Sequence, residues 1–365
     1  MLSALVKMLR VASAGLALAP TLGLAHPASV FLQKVSLVDK IEKHEEAVLA
    51  RPTRLEDPVY RVTSVLRSRG TVKRGDILEA RLSKDPEAPE EIDTLMASLL
   101  LTRKTAGDDW VIQSPAGLHL TPFFRQVVEL PDNFESSNDI YRERLLFFLP
   151  LLAHPDTRLA NCAVAAIGKA PYIVVREISP ELDRERVREW LDDPKQEGWR
   201  ALQISLLGIG GNKEDAAYLR SRIDAKWAEN DSRNLASLLV AYIELEGREA
   251  ARHVVDAYVK DRDRTFAEIK QALVALAMQG DERDPLPRED AIEAFNWLVA
   301  NRQPLAYLVI RDYIRWEHWE VMPELVALAK ERGYQIPFLR QRVIEFLEAC
   351  PLPAAKEHIP ALSQP

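Results

Sequence analysis

Histidine titrates near neutrality and ligates metals, so it is the first residue to test for chemistry. The seven stand at positions 26, 44, 119, 154, 253, 318 and 358. They form no HExxH, HxH or HxxxH pair, so none has the spacing of a zinc ligand set. His154 precedes Pro155 and reads as a side chain bonding the turn backbone. His253, beside Val254 and Val255, reads as a packed or surface residue of a helix. Cys162 and Cys350 are 188 positions apart, each on the apolar side of a predicted helix and with no CxxC companion. Two buried free thiols are expected rather than a bridge. There is no GxSxG elbow, no GxxxxGK[ST] loop and no GxGxxG after a strand. Gly208-Ile209-Gly210-Gly211 lies at a predicted helix end and reads as C-cap chemistry. Asp192-Asp193 and Asp281-Glu282-Arg283-Asp284 lack the alternating ligands of a calcium loop and read as solvated loop. One candidate binding surface stands out in Tyr313–Glu320, where Arg315, Trp316 and Trp319 are dense hot-spot residue types and the two Trp share a helical face. Packing of both rings between helices is the plainer reading. Trp190, Trp199, Trp227 and Trp297 sit on apolar faces and read as core. No residue is assigned a catalytic, cofactor or metal role, and no cofactor is expected.

The 365 residues carry 48 Lys and Arg against 55 Asp and Glu, a formal net charge of −7. That balance argues against nucleic acid, whose binders concentrate positive charge. Hydrophobic residues make up 47%, enough for a real core. Lys7 and Arg10 precede the apolar run Val11–Leu24, and Gly23-Leu24-Ala25 offers small residues before His26. This pattern predicts a signal peptide over residues 1–25 and an exported protein, periplasmic or extracellular. No later stretch is long and apolar enough to suggest an integral membrane segment after signal cleavage.

Beyond the leader the chain divides into two regions of different period. Residues 30–130 read as a β-rich domain. It has one helix over 36–46, alternating strands over 59–66 and 77–82, further strands near 95–102 and 110–113, and one or two more within 117–130. Five or six short strands suggest a small barrel or sandwich, with an OB-like barrel among the options. Pro131–Asp139 is polar and aperiodic, and residues 131–138 read as a linker ending in an N-cap offered by Ser137-Asn138-Asp139. From residue 139 to 350 the period becomes about 3.6. The expected helices are 139–153, 157–169, 183–192, 197–209, 213–228, 231–245, 247–260, 265–279, 287–301, 304–314, 320–332 and 337–349. Residues 351–365 read as a C-terminal tail.

Pro155 and Pro194 are 39 residues apart, and Pro194 and Asp231 are 37 apart. That is near the HEAT and armadillo period of about 40 residues. The stretch Leu151–Gly168 resembles a HEAT unit: Pro155 and Asp156 end one helix and cap the next, Arg158 braces the loop, and Ala163 and Ala166 allow close packing. Together with Arg186–Pro194 and Leu202–Asp215, it is similar to a set of exported bacterial HEAT-like repeat proteins of unknown function. The resemblance implies architecture: an α+β, mainly α chain with a small β-rich N-terminal domain followed by a HEAT-like α-helical solenoid. It lacks the Cys pair that some of that set carry after the signal.

The leading functional expectation is a non-enzymatic interaction scaffold or binding module of the cell envelope, with a protein or peptide partner. The alternative is an envelope hydrolase or lyase with its site in the solenoid groove, which would need convergent polar residues of shifted pKa. A third reading makes the β region a small-ligand barrel supported by the helices.

Overall fold

The computed structural model describes residues 36–54, 58–83, 98–117, 120–130, 138–193, 197, 199–229, 232–282, 284–333 and 336–363. The expected leader and residues 131–137 of the expected linker, including its Ser137 cap, lie outside the described residues.

Ser36 opens α1 (Leu37–Lys43) with a capping box: Asp39 N donates to Ser36 Oγ at 3.2 Å, and Ser36 N donates to the Asp39 carboxylate at 2.9 Å. The helix ends there, short of residue 46, and the chain turns into β1 (Glu46–Pro52). Ala47-Val48-Leu49-Ala50 is an uninterrupted apolar run, which fits a buried helix or a strand covered on both faces. The strand forms because both faces are covered. Val48 and Ala50 point into the sheet's own core with Val62, Leu99 and Ile112, while Ala47 and Leu49 join the helical core. β2 (Val59–Arg67), β3 (Ile77–Leu82), β4 (Ser98–Arg103) and β5 (Trp110–Ala116) complete a small five-stranded sheet. β1 pairs antiparallel with both β2 and β4, β4 pairs antiparallel with β5, and β3 runs parallel to β5. The ladder therefore closes on itself in the order β1-β2-β3-β5-β4.

Residues 117–130 hold no strand among the described residues. They form α2 (Leu120–Val127), because Leu120, Phe123, Phe124 and Val127 make an i, i+3, i+4, i+7 stripe. That stripe packs on Phe147 and Phe148 of α3 (Asn138–Phe148), with ring centroids 5.1 to 6.2 Å apart across the cluster. After a 3-10 turn comes α4 (Thr157–Lys169), capped by Asp156, whose carboxylate accepts from Arg158 N at 2.9 Å. The Arg158 guanidinium grips the same carboxylate and also donates to the Pro115 carbonyl of β5 at 2.9 Å. Arg144–Glu42 and Lys169–Asp39 ion pairs tie α3 and α4 to α1. The sheet and the first helices thus share one seam.

The rest of the chain is helical. α5 (Tyr172–Glu177), where the sequence pattern predicts no helix, precedes α6 (Arg184–Asp192), α7 (Arg200–Gly210) and α8 (Lys213–Glu229). α9 (Leu235–Val254) is broken at Gly247, whose φ of 62° lies in the left-handed region glycine favours, and runs on into a π-helical turn at Val255–Lys260. α10 (Phe266–Glu282), α11 (Arg288–Asn301), α12 (Ile310–Arg315), α13 (Met322–Arg332) and α14 (Pro337–Ala349) follow. The stretch beyond residue 350 carries α15 (Pro353–Ser363), packed on α14 and α13. Helices pack chiefly on near neighbours in sequence, α7 and α10 flanking α9. Cys162 and Cys350 are free and buried, and burial pushes the Cys162 thiol up to about 11. Among the described residues no helix is long and apolar enough to cross a membrane.

Within the glycine run, Gly211 caps α7 but Gly208 does not. It lies inside the helix, where an added Cβ would stand 2.6 Å from Ala241 Cα of α9. Close approach of two backbones, rather than capping, is what this glycine provides. Gly208→Ala is expected to destabilise the protein by about 2 kcal/mol through overpacking. Gly107→Ala, where a Cβ meets nothing within 4 Å, should be near neutral. Urea unfolding of both variants reads the difference, and equal midpoints would exclude a tight α7–α9 contact.

Candidate functional site

α10 starts with its own capping box. Thr265 N and Oγ1 donate to the Glu268 carboxylate at 2.9 and 2.8 Å, and Glu268 N donates back to Thr265 Oγ1 at 3.3 Å. From there Ile269, Ala272, Leu273 and Leu276 turn into the core. Val274, Ala277, Met278 and Asp281 follow one another at helical spacing on the face that lines a cavity of about 280 Å³. Val240 of α9, Leu308 before α12 and Tyr172 of α5 complete its wall. One end is apolar. The other gathers Gln279, Asp281, Glu282, Asp312 and Arg315, with Lys270 exposed at the mouth.

Arg315 Nη2 lies 2.6 Å from Asp312 Oδ1 and 2.9 Å from Asp281 Oδ2, so two carboxylates face each other across one nitrogen. The Asp281 contact is an ion pair without hydrogen-bond geometry, and Oδ2 accepts no hydrogen bond. The Oδ1 atom accepts from Trp316 Nε1 at 2.5 Å. Trp316 is held in turn by stacking on Phe295, with centroids 5.4 Å apart, and by the Arg288 guanidinium at 5.6 Å. It fits because position 280 is glycine: a Cβ there would stand 3.2 Å from the indole.

Behind the wall lies a second network. Glu244 of α9 accepts from Tyr172 Oη at 2.9 Å and from Gln279 Nε2 at 3.1 Å, and pairs with Arg176 Nε at 2.8 Å. Arg176 also reaches Asp284 at 3.1 Å. Gln279 is 1% exposed, and its Nε2 also donates to the Val240 carbonyl at 3.1 Å, yet its Oε1 accepts nothing. Both acceptors without a hydrogen bond, Gln279 Oε1 and Asp281 Oδ2, are shielded from solvent behind the pocket's surface.

The electrostatics agree. Burial pushes the Asp312 carboxyl up to about 6, against the opposing pull of Arg315 and with Asp281 adding to the rise. Burial also raises Asp281, opposed by Trp316, Arg315 and Arg288, and raises Glu282 and Glu244, each opposed first by Arg176. Four carboxyls thus stand above their ordinary range in one region, a pattern concentrated at functional sites.

Arg315 lines this cavity. Trp316 is 8% exposed and supports it from behind, while Trp319 is part-buried against Phe346, with ring centroids 5.2 Å apart. Trp190, Trp199 and Trp297 are partly buried against the core, and the Trp227 side chain lies outside the described residues. The expectation of a solvated loop at 281–284 is corrected. Asp281 and Glu282 form the last turn of α10, and the Asp281 side chain is 4% exposed. A legible signal existed, because Asp281 extends the Val274–Ala277–Met278 face by one turn. Tyr172, Glu244 and Gln279 had no sequence signal, since they meet only through packing of α5, α9 and α10. His154 accepts from Asp156 N at 3.0 Å, as its place before the turn predicts. Among the described residues no group of three or more His, Cys, Asp or Glu is gathered to hold a metal ion. Compared with protein-family models, curated proteins and solved structures, the chain matches none.

Asp312 generates a pH prediction. Its folded pKa exceeds its ordinary value of 3.8, so the native state binds more protons between there and about 6, and stability falls as pH rises through that window. Asp312→Asn removes this loss. Its stability relative to the parent should rise by about 2 kcal/mol between pH 4 and pH 7. Urea unfolding at both pH values checks it, and a constant difference would mean that Asp312 titrates normally.

Proposed function

We propose that this chain is a non-enzymatic interaction module of the cell envelope, exported behind a cleaved leader, and that its α10–α12 pocket receives a basic side chain or amine of a protein or peptide partner. The architecture we propose is an OB-like barrel followed by a HEAT-like solenoid. The closed five-strand ladder with its β3–β5 crossing supports the first, and the packing of helices on near neighbours in sequence supports the second.

The observation that carries the binding reading is the set of raised carboxyls that line the polar end of the pocket. Asp312 and Glu282 stay above the usual carboxylate range although Arg315 and Arg176 stand close. A ligand that brings positive charge beside these carboxyls favours their ionised forms. A lysine-like group does so with three donors on an apolar stem that can lie along Val274, Met278 and Leu308.

Asp312 and Asp281, two raised carboxyls across one guanidinium nitrogen, also favour the alternative of an envelope hydrolase or lyase. There Asp312 would serve as a general acid near pH 6. That reading requires turnover of an envelope polymer that falls as pH rises through about 6 and is lost in Asp312→Asn.

Titration calorimetry of the full chain with hexylammonium, hexanol and hexanoate tests the binding reading. Hexylammonium should bind best and hexanoate least. Asp312→Asn should weaken the ammonium about tenfold while leaving hexanol unchanged, as expected for one charge contact in a part-screened site. Hexanoate binding as well as the ammonium would refute it.

A further inference from the structure

A second cavity has a lining in which basic residues outnumber acidic ones. It is an open cleft of about 750 Å³ where α1 runs into β1, beside the end of β2 and the β4–β5 turn. Its charged lining comprises Lys43, Arg67, Arg69 and Lys104 against Glu42 and Glu45, with His44 among them. Both acids are already engaged. Glu42 pairs with the buried Arg144, and Glu45 lies 3.0 Å from Arg69. Lys43 and Lys104 are exposed, and they flank the histidine from two different elements. The C-terminal dipole of α1 accounts for a lysine in its last turn but not for Lys104, which comes from the β4–β5 turn.

His44 is held in place from the inside. Its Nδ1 lies 2.7 Å from Thr102 Oγ1, and Gln113 Nε2 donates to that same oxygen at 3.0 Å. Thr102 and Gln113 are both buried. The Thr102 hydroxyl, which has two lone pairs and one proton, can still either donate to Nδ1 or accept from it. Nδ1 is thus engaged on the inside and Nε2 is the nitrogen left for the cleft, carrying a proton whenever the ring is the imidazolium.

We propose that this cleft binds a phosphate-type anion, held by the Lys43 and Lys104 ammonium groups and by His44 Nε2–H. The opposing hydroxyls are committed elsewhere: Ser68 Oγ donates to Glu46 at 3.2 Å and Thr105 Oγ1 to Asp108 at 2.8 Å. The anion therefore meets cationic donors, which make the shorter and stronger hydrogen bonds to phosphate oxygens. His44 reports on occupancy. Partial burial, Lys104 and Lys40 hold its pKa below the ordinary 6.5, and Asp108 alone opposes them. A bound anion favours the imidazolium, so binding raises the pKa of His44 and tightens as pH falls through it. This inference stands apart from the α10–α12 pocket and survives or fails independently of it.

The test is a pH titration of the His44 ring by NMR on the full chain, assigned with His44→Gln, in inorganic phosphate and in sodium chloride of equal ionic strength. Phosphate should raise the His44 pKa where chloride does not. The double variant Lys43→Glu, Lys104→Glu, altered only at exposed positions, should lose affinity by more than about tenfold. Sedimentation with phosphatidylglycerol vesicles, against phosphatidylcholine vesicles, separates the sources. Cosedimentation lost in the double variant identifies a lipid headgroup, whereas a phosphate response without cosedimentation identifies a free or small-molecule phosphate. The proposal is overturned if phosphate and chloride act alike on His44, or if the double variant responds as the parent does.

Discussion

α10 is confined by α9 on one flank and by Leu308, Asp312 and Arg315 on another, and the pocket depends on that confinement. The helix buries Ile269, Ala272, Leu273 and Leu276 as any amphipathic helix would, but the second neighbour also encloses its last turn. Carboxylates at a helix C-terminus already meet the negative end of the helix dipole. Asp281 and Glu282 meet it with restricted access to water as well. Arginines arrive from three separate elements in response: Arg176 from α5, Arg288 from α11 and Arg315 from α12. Even so, Asp281 and Glu282 stay above the ordinary carboxylate range. A chain selected for stability alone would place apolar or basic residues at these positions. Local rules broken without full compensation are what functional sites look like in an otherwise consistent fold.

The seam between sheet and helices has the opposite character. Arg144 and Lys169 make ion pairs across it, and Arg158, paired with Asp156 in its own turn, donates to a backbone carbonyl of β5. Only Arg144–Glu42 is largely buried on both sides; such a pair gains little net stability, but removing one partner strands the other, so it helps to fix which surfaces meet. The aromatic cluster of Phe123, Phe124, Phe147 and Phe148 supplies the apolar area. The net charge of the chain hides this division of labour: acidic character collects at α10–α12 and basic character beside His44.

Legibility follows period and burial. The helix over 157–169 is readable to the residue because Asp156 caps it and a polar break precedes it. β2, β3 and β5 are readable from alternation and from the Gly75 and Gly107 turns. β1 is not, because Ala47–Ala50 is apolar on both faces and a continuous run carries no period. α2 passes for strand because its stripe spans only eight residues and begins just after a strand. Of the candidate surface, Arg315 can be named from residue type alone. What it faces is legible only in part: Asp312 stands three residues back on the same helix, but Asp281 comes from α10, apart in sequence.

The raised carboxyls bear on what the pocket recognises. Keeping Asp312 ionised at neutral pH costs the free protein about 2 to 3 kcal/mol, by the distance of its pKa from the ordinary value. A ligand recovers that cost only if it stabilises the ionised form, which an ammonium or guanidinium does and a neutral or anionic group does not. On the binding reading we propose, affinity and selectivity would have one origin: the same desolvation that raises Asp312 would reject anions. The apolar wall of Val274, Met278 and Leu308 adds contact area without discriminating charge. Catalysis would use the other protonation state, a neutral Asp312 ready to donate. At neutral pH a pKa near 6 leaves the ionised form in excess, so the carboxyl spends most of its time in the form that binds cations.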